Sequence, residues 1–385
     1  MLTRVYATNY RCLVNFEMKP SAKQLIIGRN GTGKTIVFEL LAALRDFAVR
    51  GQPCEAFFGG RTLTHWQDVD EQRFELDVSG NGGEYRYTLA LAEPRPKRAI
   101  IPPIADYEPR PRVKRETLSF NGKLIFRFED GTVGLFRDPT APLEFPHDWH
   151  HSGLATVEEE PHRREKSNLT WFKLWLDRLI QVQINPWAML ARSERESRFP
   201  AKDLSNFADW YRHLRLDSGN AVFEAIRSLR EAISGLEALD AKEAGLDVRV
   251  LYASLRTPGG KTIEVPFSEL SEGQRVLIAL YVLLYCGVGE DRTLLIDEPD
   301  NFIALAEIQP WLLKLLDHVD EKNGQVILIS HHPEVLDQLA NQGGLLLDRP
   351  DDGETRILPF KPAQDSGLNA SEIVARGWEL APDHE

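Results

Sequence analysis

The chain has 385 residues and a formal net charge of −12, which argues against a protein coated in positive charge for non-specific nucleic-acid binding. No stretch approaches the roughly 18 uninterrupted apolar residues of a membrane span, and the N-terminus lacks the charged-then-apolar pattern of a signal peptide. The cysteines Cys12, Cys54 and Cys286 are widely separated and form no zinc pattern, so we expect a cytoplasmic protein with free thiols.

The first motif is a glycine-rich loop at residues 28–35, whose sequence GRNGTGKT matches G-x-x-x-x-G-K-[ST] at every fixed position. An apolar strand at Leu25–Ile27 precedes it and a helical pattern from Ile36 follows it. In such a loop, backbone N–H groups converge on phosphates at a helix N-terminus, the lysine adds a charge and the threonine offers a hydroxyl to Mg²⁺. The residues expected to contact a nucleotide or its metal are Asn30, Gly31, Gly33, Lys34 and Thr35.

The middle of the chain begins with a pattern of antiparallel strands. Residues 73–78 and 85–91 flank a Gly-Asn-Gly-Gly turn, and Asn-Gly and Asp-Gly turns at 121–122 and 130–131 predict two further hairpins. A proline-rich basic link lies between these pairs. It is either a DNA-backbone contact or a solvated, extended loop. Its basic residues are Arg95, Lys97, Arg98, Arg110, Arg112, Lys114 and Arg115.

Helical patterns follow from about residue 168 and again from Leu204 to Leu239, with apolar residues on one broad face. The aromatic residues in them are expected in the core. A histidine group at His147, His150 and His151 is interpreted as the polar edge of a hairpin rather than a metal site.

Three further segments carry polar residues that fit phosphate chemistry. Leu270-Ser271-Glu272-Gly273-Gln274 precedes a helical pattern, with Ser271 as a helix cap whose hydroxyl is free for phosphate. The apolar run 293–296 predicts a buried parallel strand ending in Asp297 and Glu298. Asp297 is placed to hold Mg²⁺ through water and Glu298 to orient or deprotonate a water molecule; a helix N-terminal charge pair is the alternative. A second apolar run, 326–330, ends at a histidine pair. His331 is expected to contact the γ-phosphate, and His332 to pack or cap a helix.

Taken together, these motifs resemble the ATP-binding-cassette ATPase superfamily, and within it the SMC-like, RecF-like and OLD-like heads. Residues 3–12 resemble the strand with an Asn-aromatic-Arg signature that precedes the P-loop in those heads, and residues 329–334 resemble their switch segment. The resemblance implies that Arg11 contacts the nucleotide. It also implies that Ser271, Gly273 and Gln274 dock on the γ-phosphate bound by a second subunit, so that a homodimer encloses two Mg-ATP.

The sequence departs from that group in several places. Ala304 stands where the group's D-loop has aspartate, with Asp300 or Asn301 as possible substitutes. The glutamine of the Q-loop is either Gln181 or Gln183, unless both are ordinary polar residues of a strand. No heptad pattern persists, which removes long coiled-coil arms. No toprim-like or HNH-like residue set was found, so a nuclease activity would come from a separate chain.

The predicted fold is therefore α/β, a P-loop NTPase with an ABC-type head, a β-rich insertion and a helical signature lobe. The expected segments are 1–60 for the first half of the ATPase lobe, 61–165 for the insertion, 166–260 for the helical lobe, 261–350 for the second half and 351–385 for a C-terminal tail. The resemblance implies ATP hydrolysis coupled to DNA repair or recombination, or to antiphage defence through a partner effector. A non-hydrolytic scaffold and a transporter ATPase subunit are the competing hypotheses.

Overall fold

The structure is a computed structural model that describes residues 1–92, 110–136, 143–158, 167–350, 353–361 and 367–378. The strands in these ranges are β1 (Leu2–Thr8), β2 (Phe16–Met18), β3 (Lys23–Ile27), β4 (Glu71–Gly80), β5 (Gly83–Ala92), β6 (Arg112–Phe120), β7 (Lys123–Glu129), β8 (Thr132–Leu135), β9 (Leu143–Pro146), β10 (Ile180–Val182), β11 (Arg192–Ser193), β12 (Leu236–Glu243), β13 (Arg249–Arg256), β14 (Thr262–Pro266), β15 (Thr293–Asp297), β16 (Gln325–Ile329), β17 (Leu345–Asp348) and β18 (Arg356–Pro359). The α-helices are α1 (Lys34–Ala48), α2 (Gly153–Thr156), α3 (Asn168–Asp177), α4 (Phe207–Asp217), α5 (Gly219–Ala232), α6 (Glu272–Val282), α7 (Leu305–Lys322), α8 (Pro333–Leu339) and α9 (Ala370–Ala375).

The chain divides into two compact units, each built from separate stretches of sequence. The first unit comprises Met1–Ser21, Gly28–Leu179 and Leu346–Leu358. The second comprises Ala22–Ile27, Ile180–Leu345 and Pro359–Glu385.

The first unit is organised around an eight-stranded antiparallel sheet with the order β2-β1-β4-β5-β6-β7-β8-β9. In β4, the fully buried apolar residues Phe74, Leu76 and Val78 occupy every second position, and the residues between them are polar, which is the period-two pattern of a strand with one apolar face. Asn121 and Gly122 both have positive φ, as the tight turn between β6 and β7 requires. The predicted hairpins are therefore present. The strands predicted as an insertion continue the sheet that β1 and β2 begin.

The basic link differs from its prediction where it enters this sheet. Arg112, Lys114 and Arg115 lie in strand β6 rather than in an extended loop, and they point outward while Val113 and Glu116 are buried. The run of positive charge hides this alternation in the sequence, because a buried glutamate is not expected in a strand. Arg95, Lys97 and Arg98 lie outside the described residues.

The second unit contributes four neighbouring parallel strands in the order β10-β15-β16-β3. Every residue of β15 and β16 is buried, which explains why both strands appear as continuous apolar runs in the sequence. Helix α6 packs on α5, and α7 packs on α8.

A smaller antiparallel sheet in the second unit corrects the expectation that residues 166–260 are helical. Helices α4 and α5 are present, but β12 and β13 follow them, and β13 also pairs with β11 and β14. The register of β12 shifts between Leu236 and Ala238. This bulge gives the buried Leu236 and Leu239 a spacing of three, which mimics a helical period.

Candidate functional site

The loop between β3 and α1 is shaped by three glycines with positive φ. A Cβ on Gly28 would lie 2.3 Å from the carbonyl oxygen of Leu347, and a Cβ on Gly33 would lie 2.8 Å from Cys12 Sγ. Since real Cβ atoms do not approach other atoms so closely, only glycine fits at these two positions. Gly31 has a φ of 85° as well, but nothing lies within 4 Å of its Cβ position. The loop is therefore tightly packed at Gly28 and Gly33 and open at Gly31.

Hydrogen bonds from nearby side chains hold the loop in shape. Lys34 is 8% exposed, and its Nζ donates to the carbonyls of Gly28 and Arg29. Thr32 Oγ1 donates to the Arg29 carbonyl at 2.9 Å, and Thr355 Oγ1 donates to the Thr32 carbonyl at 2.8 Å. No side chain of the described residues caps the start of α1, so the positive end of its helix dipole faces the loop without a capping side chain. A preformed loop, an ammonium group and the positive end of a helix dipole together fit a phosphate chain.

Arg11 lies in a left-handed turn of the same unit, with φ of 52°. Its backbone N–H donates to the Thr62 carbonyl, and its Nη1 donates to Glu39 Oε2 on α1, both at 2.6 Å. The guanidinium also lies 5.8 Å from the centroid of the Tyr10 ring. Burial raises the pKa of Tyr10 to about 12, so this ring stays neutral at physiological pH. The turn is thus attached to the helix that follows the P-loop.

In the second unit, three parallel strands end in register. Asp297, the last residue of β15, pairs with Ile329 at the end of β16, and Ile329 pairs with Ile26 of β3. Asp297 is 2% exposed. The P-loop begins at Gly28, two residues after Ile26 along the chain. The carboxyl edge of the sheet is therefore where the predicted metal-binding carboxylate lies and where β3 leads into the phosphate loop.

Glu298 follows this edge with an unusual backbone. Its φ is 52°, and its N–H donates to the Ile329 carbonyl at 2.8 Å. Asn301 Nδ2 donates to Glu298 Oε2 at 2.8 Å. A left-handed non-glycine residue carries strain that the surrounding bonds must hold. The carboxylate is thus oriented by a backbone bond and by a neutral amide.

The segment after β15 is also tied to the segment after β16. Ser330, which is fully buried, donates from Oγ to Asp300 Oδ1 at 2.6 Å and accepts from the His332 N–H at 3.0 Å. His332 caps α8, because its Nδ1 accepts from the Glu334 N–H, and this confirms the capping role expected for it. His331 is exposed between these two residues. Its contact with a γ-phosphate remains a prediction.

The signature segment starts helix α6 with a capping box. Ser271 Oγ accepts from the Gln274 N–H at 3.3 Å, and Gln274 Oε1 accepts from the Ser271 N–H at 3.1 Å. Ser271 is therefore a helix cap, as predicted, and is exposed. A serine hydroxyl that accepts a bond retains its own proton for donation, so the side chain can still bind a phosphate oxygen.

An aromatic contact that the sequence analysis missed joins the signature helix to the segment after Glu298. Trp187 Nε1 donates to Glu272 Oε1 at 3.0 Å, and its ring forms a T-shaped pair with the Phe302 ring, with centroids 4.8 Å apart. A Cβ on Gly273 would lie 3.0 Å from the Phe302 carbonyl oxygen. We call Trp187, Glu272 and Phe302 the aromatic bridge. Its sequence signal is an Asn-Pro-Trp turn that begins three residues after the end of the buried strand β10.

The two candidates for the Q-loop glutamine differ in position. Gln181 is 6% exposed within β10, and its Nε2 has no hydrogen-bond partner among the described residues. Gln183 follows Val182, which pairs with Ile296, so Gln183 lies level with Asp297 at the carboxyl edge. Of the two, Gln183 is the one that the strand register brings to the site.

The described basic residues of the predicted DNA contact have partners in the first unit. Lys114 Nζ lies 2.6 Å from Glu71 Oε2, and Arg115 Nε lies 3.6 Å from Glu129 Oε1. The closest contact of Arg110 with Glu55 is 3.8 Å, and Arg112 lies over the Trp149 ring. Acidic side chains thus offset much of this positive charge.

The histidine group shows no metal-site geometry in the described ranges. His151 Nδ1 lies 2.9 Å from Asp148 Oδ2, and His150 Nδ1 lies 3.1 Å from the Pro111 carbonyl oxygen. Burial lowers the pKa of His147. No set of three or more His, Cys, Asp or Glu side chains in the described residues is arranged to hold a metal ion.

A glycine-rich phosphate loop that leads from a parallel sheet, with two carboxylates at the edge of that sheet, defines a P-loop NTPase with the fold of an SMC-like head. A family model matches residues 25–337, and its description is "AAA domain, putative AbiEii toxin, Type IV TA system". The chain belongs to this family.

Solved structures of SMC heads are similar to the chain. One is a SmcHead bound to the C-winged helix domain of ScpA, with a TM-score of 0.53 and 11% identity over 93% of this chain and 98% of that chain. Another is the SMC head domain from Thermotoga maritima, with a TM-score of 0.45 and 15% identity over 94% of this chain and 99% of that chain. The first of these supports the ABC-type head fold that was predicted.

No protein of curated function matches the chain in sequence. Among the described residues, no helix combines the length and the apolar character that a membrane crossing requires.

Proposed function

We propose that this chain is an ATPase that binds Mg-ATP at the P-loop and hydrolyses it with residues of the sheet edge. The observation that carries the proposal is the register of Asp297, Ile329 and Ile26, because the P-loop begins two residues beyond Ile26. Membership of a P-loop family supports the use of a nucleotide. The remaining roles are assigned residue by residue from the predicted motifs.

The P-loop residues bind the phosphates. Backbone N–H groups from Asn30 to Gly33 surround them, and Lys34 adds a positive charge near the β- and γ-phosphates. The Thr35 hydroxyl would ligate Mg²⁺, and Asp297 would hold the ion through water. When bound, this ion neutralises the charge that develops on the phosphate oxygens. Arg11 supplies a further cationic contact from its turn.

Glu298 acts as the general base. It takes a proton from a water molecule whose oxygen bonds to the γ-phosphorus, while the bond to the β–γ bridging oxygen breaks and leaves ADP and phosphate. The Asn301 amide holds Glu298 at one oxygen and leaves the other for water. His331 contacts the γ-phosphate.

Two copies of the chain close on two nucleotides. Ser271, Gly273 and Gln274 bind the γ-phosphate held by the other copy, and hydrolysis removes this contact and reopens the dimer. The similar SmcHead structure contains a bound winged-helix domain, and a partner of this chain would respond to the same cycle. We place that cycle in DNA repair or recombination, or in antiphage defence through an effector. The toxin–antitoxin wording of the family description supports the second setting.

The decisive experiment compares wild type, Glu298→Gln and Lys34→Ala by light scattering and by phosphate release. Glu298→Gln should keep nucleotide binding, lose hydrolysis by about 10²- to 10⁴-fold, and shift from monomer to dimer when Mg-ATP is added. Lys34→Ala should lose both nucleotide binding and hydrolysis. Hydrolysis that persists in Glu298→Gln would contradict the assignment of the base.

A non-hydrolytic scaffold is the competing function, which the alanine at position 304 favours. It would be established if wild type dimerised with Mg-ATP and released no phosphate over many dimer lifetimes.

A further inference from the structure

A loop of the first unit holds an exposed tryptophan near the P-loop. The Thr64 N–H donates to Asn9 Oδ1 at 3.0 Å, and Asn9 Nδ2 donates to the carbonyls of Val69 and Glu71 at 2.8 and 3.0 Å. These bonds fix both ends of a short loop. Trp66 lies between them and is 47% exposed. A large aromatic ring is thus kept on the surface by a well-bonded loop.

Arg349 connects this ring to the P-loop. Its Nη1 donates to the Gly31 carbonyl at 3.3 Å, and its Nε donates to the Gly353 carbonyl at 2.8 Å. Its guanidinium carbon lies 5.7 Å from the centroid of the Trp66 ring. Gly31 is the residue at which the phosphate loop is open. The Arg349 guanidinium therefore lies between the Trp66 ring and the open part of the P-loop at Gly31.

We propose that Trp66 and Arg349 form the binding site for the base of the nucleotide whose phosphates the P-loop holds. The proposal rests on the proposed function and extends it from the phosphates to the base. Aromatic faces and guanidinium planes both stack on bases, and stacking tolerates different bases because each has a π face. The phosphate loop itself contacts no base, so base affinity must come from side chains such as these.

The test separates base binding from phosphate binding by using two ligands. Calorimetry would measure the affinity of the full chain for Mg-ATP and for magnesium tripolyphosphate, which has no base. Trp66→Ala should weaken ATP binding by roughly ten-fold or more and leave tripolyphosphate binding unchanged. Trp66→Phe, which keeps an aromatic face, should recover most of the loss. Arg349→Lys keeps the charge without the planar group. It should lower the affinity for Mg-ATP and leave the affinity for tripolyphosphate unchanged.

Trp149→Ala is a matched control, because Trp149 is 45% exposed and lies under Arg112 elsewhere in the first unit. It should change neither affinity. Equal affinities of wild type and Trp66→Ala for ATP would overturn the base site. So would a parallel loss for both ligands, which would show a role in loop structure. Wild type that binds neither ligand would refute the proposed function as well, whereas tripolyphosphate binding that depends on Lys34 would leave the phosphate site standing.

Discussion

The P-loop is shaped by backbone, whereas the sheet edge near Asp297 is shaped by side chains from several segments. In the loop, glycine conformations and bonds to carbonyl groups make the structure, and Lys34 joins two of those carbonyls. At the edge, Asn301 orients Glu298, and Ser330 holds Asp300. A site shaped by the backbone has a few positions at which only glycine fits, so a single substitution there should greatly weaken binding. In a network of side chains, each substitution should remove only part of the activity.

The largest effect is expected where the loop is most tightly packed. Gly33→Ala places a Cβ 2.8 Å from Cys12 Sγ and 2.9 Å from Thr355 Oγ1, at a φ of 98°. We expect ATP affinity to fall by about 100-fold or more, since such backbone conformations cost about 1–3 kcal/mol before any clash. Titration with a fluorescent ATP analogue would measure it.

Gly31→Ala is the matched control, because its Cβ meets nothing within 4 Å. Only the strain of its φ should remain, and the loss of affinity should be clearly smaller. Equal losses at both positions would show that packing against Cys12 and Thr355 does not shape the loop.

The side-chain network should respond more weakly and in catalysis alone. Asn301→Ala removes the amide that donates to Glu298 Oε2 at 2.8 Å, and we expect kcat to fall about ten-fold, as a bond to a charged group is worth about 1.5–3 kcal/mol. ATP affinity should stay unchanged. Steady-state phosphate release and calorimetry would measure the two quantities.

Gln342→Ala removes an exposed amide that donates to the Gln338 carbonyl, and it should leave kcat unchanged. Asn301→Asp places a second carboxylate beside Glu298 and should reduce kcat further than alanine does. If Asn301→Ala reduced affinity and left kcat intact, the amide would serve nucleotide binding rather than the base.

The aromatic bridge offers the next smaller effect. Trp187→Ala removes both the bond to Glu272 and the contact with Phe302. An aromatic pair contributes about 0.5–1.5 kcal/mol, so ATP-dependent dimerisation in the Glu298→Gln background should weaken roughly two- to ten-fold by light scattering. Trp187→Phe should lie between, and Leu313→Ala, an exposed residue of α7, should have no effect. If Trp187→Ala left dimerisation unchanged, the contact between the signature helix and the segment after Glu298 would have no role in dimerisation.

The same contrast explains what the sequence could predict. The P-loop and the hairpin turns lie in contiguous residues whose conformational needs are known, so their motifs sufficed. The side-chain hydrogen bonds of Asn301 and Asp300 depend on the left-handed backbone of Glu298, which no residue pattern predicts. Strand β12 was missed because its bulge spaces Leu236 and Leu239 like a helix.

The last effect falls on stability alone and concerns a carboxyl group of the first unit that has no part in the proposed chemistry. Glu116 is fully buried and accepts bonds from the Tyr87 hydroxyl at 2.8 Å and the Ser152 hydroxyl at 2.6 Å. Burial raises the pKa of Glu116 above its ordinary value of 4.5, although these hydrogen bonds oppose the shift. The folded chain therefore keeps this proton at a pH where the unfolded chain has lost it.

The stability contribution of this group is complete below pH 4.5 and is lost as pH rises through the folded-state pKa. Between these two pKa values, the free energy of unfolding should fall by up to about 1.4 kcal/mol per pH unit. Urea unfolding from pH 5 to 8 should thus show wild type losing stability relative to Glu116→Gln, which cannot ionise. Glu129→Gln replaces a partly exposed partner of Arg115 and should follow wild type. If the difference in the free energy of unfolding between wild type and Glu116→Gln stayed constant from pH 5 to 8, Glu116 would be ionised in the folded chain throughout this range. Its hydrogen-bond donors would then outweigh the effect of burial on its pKa.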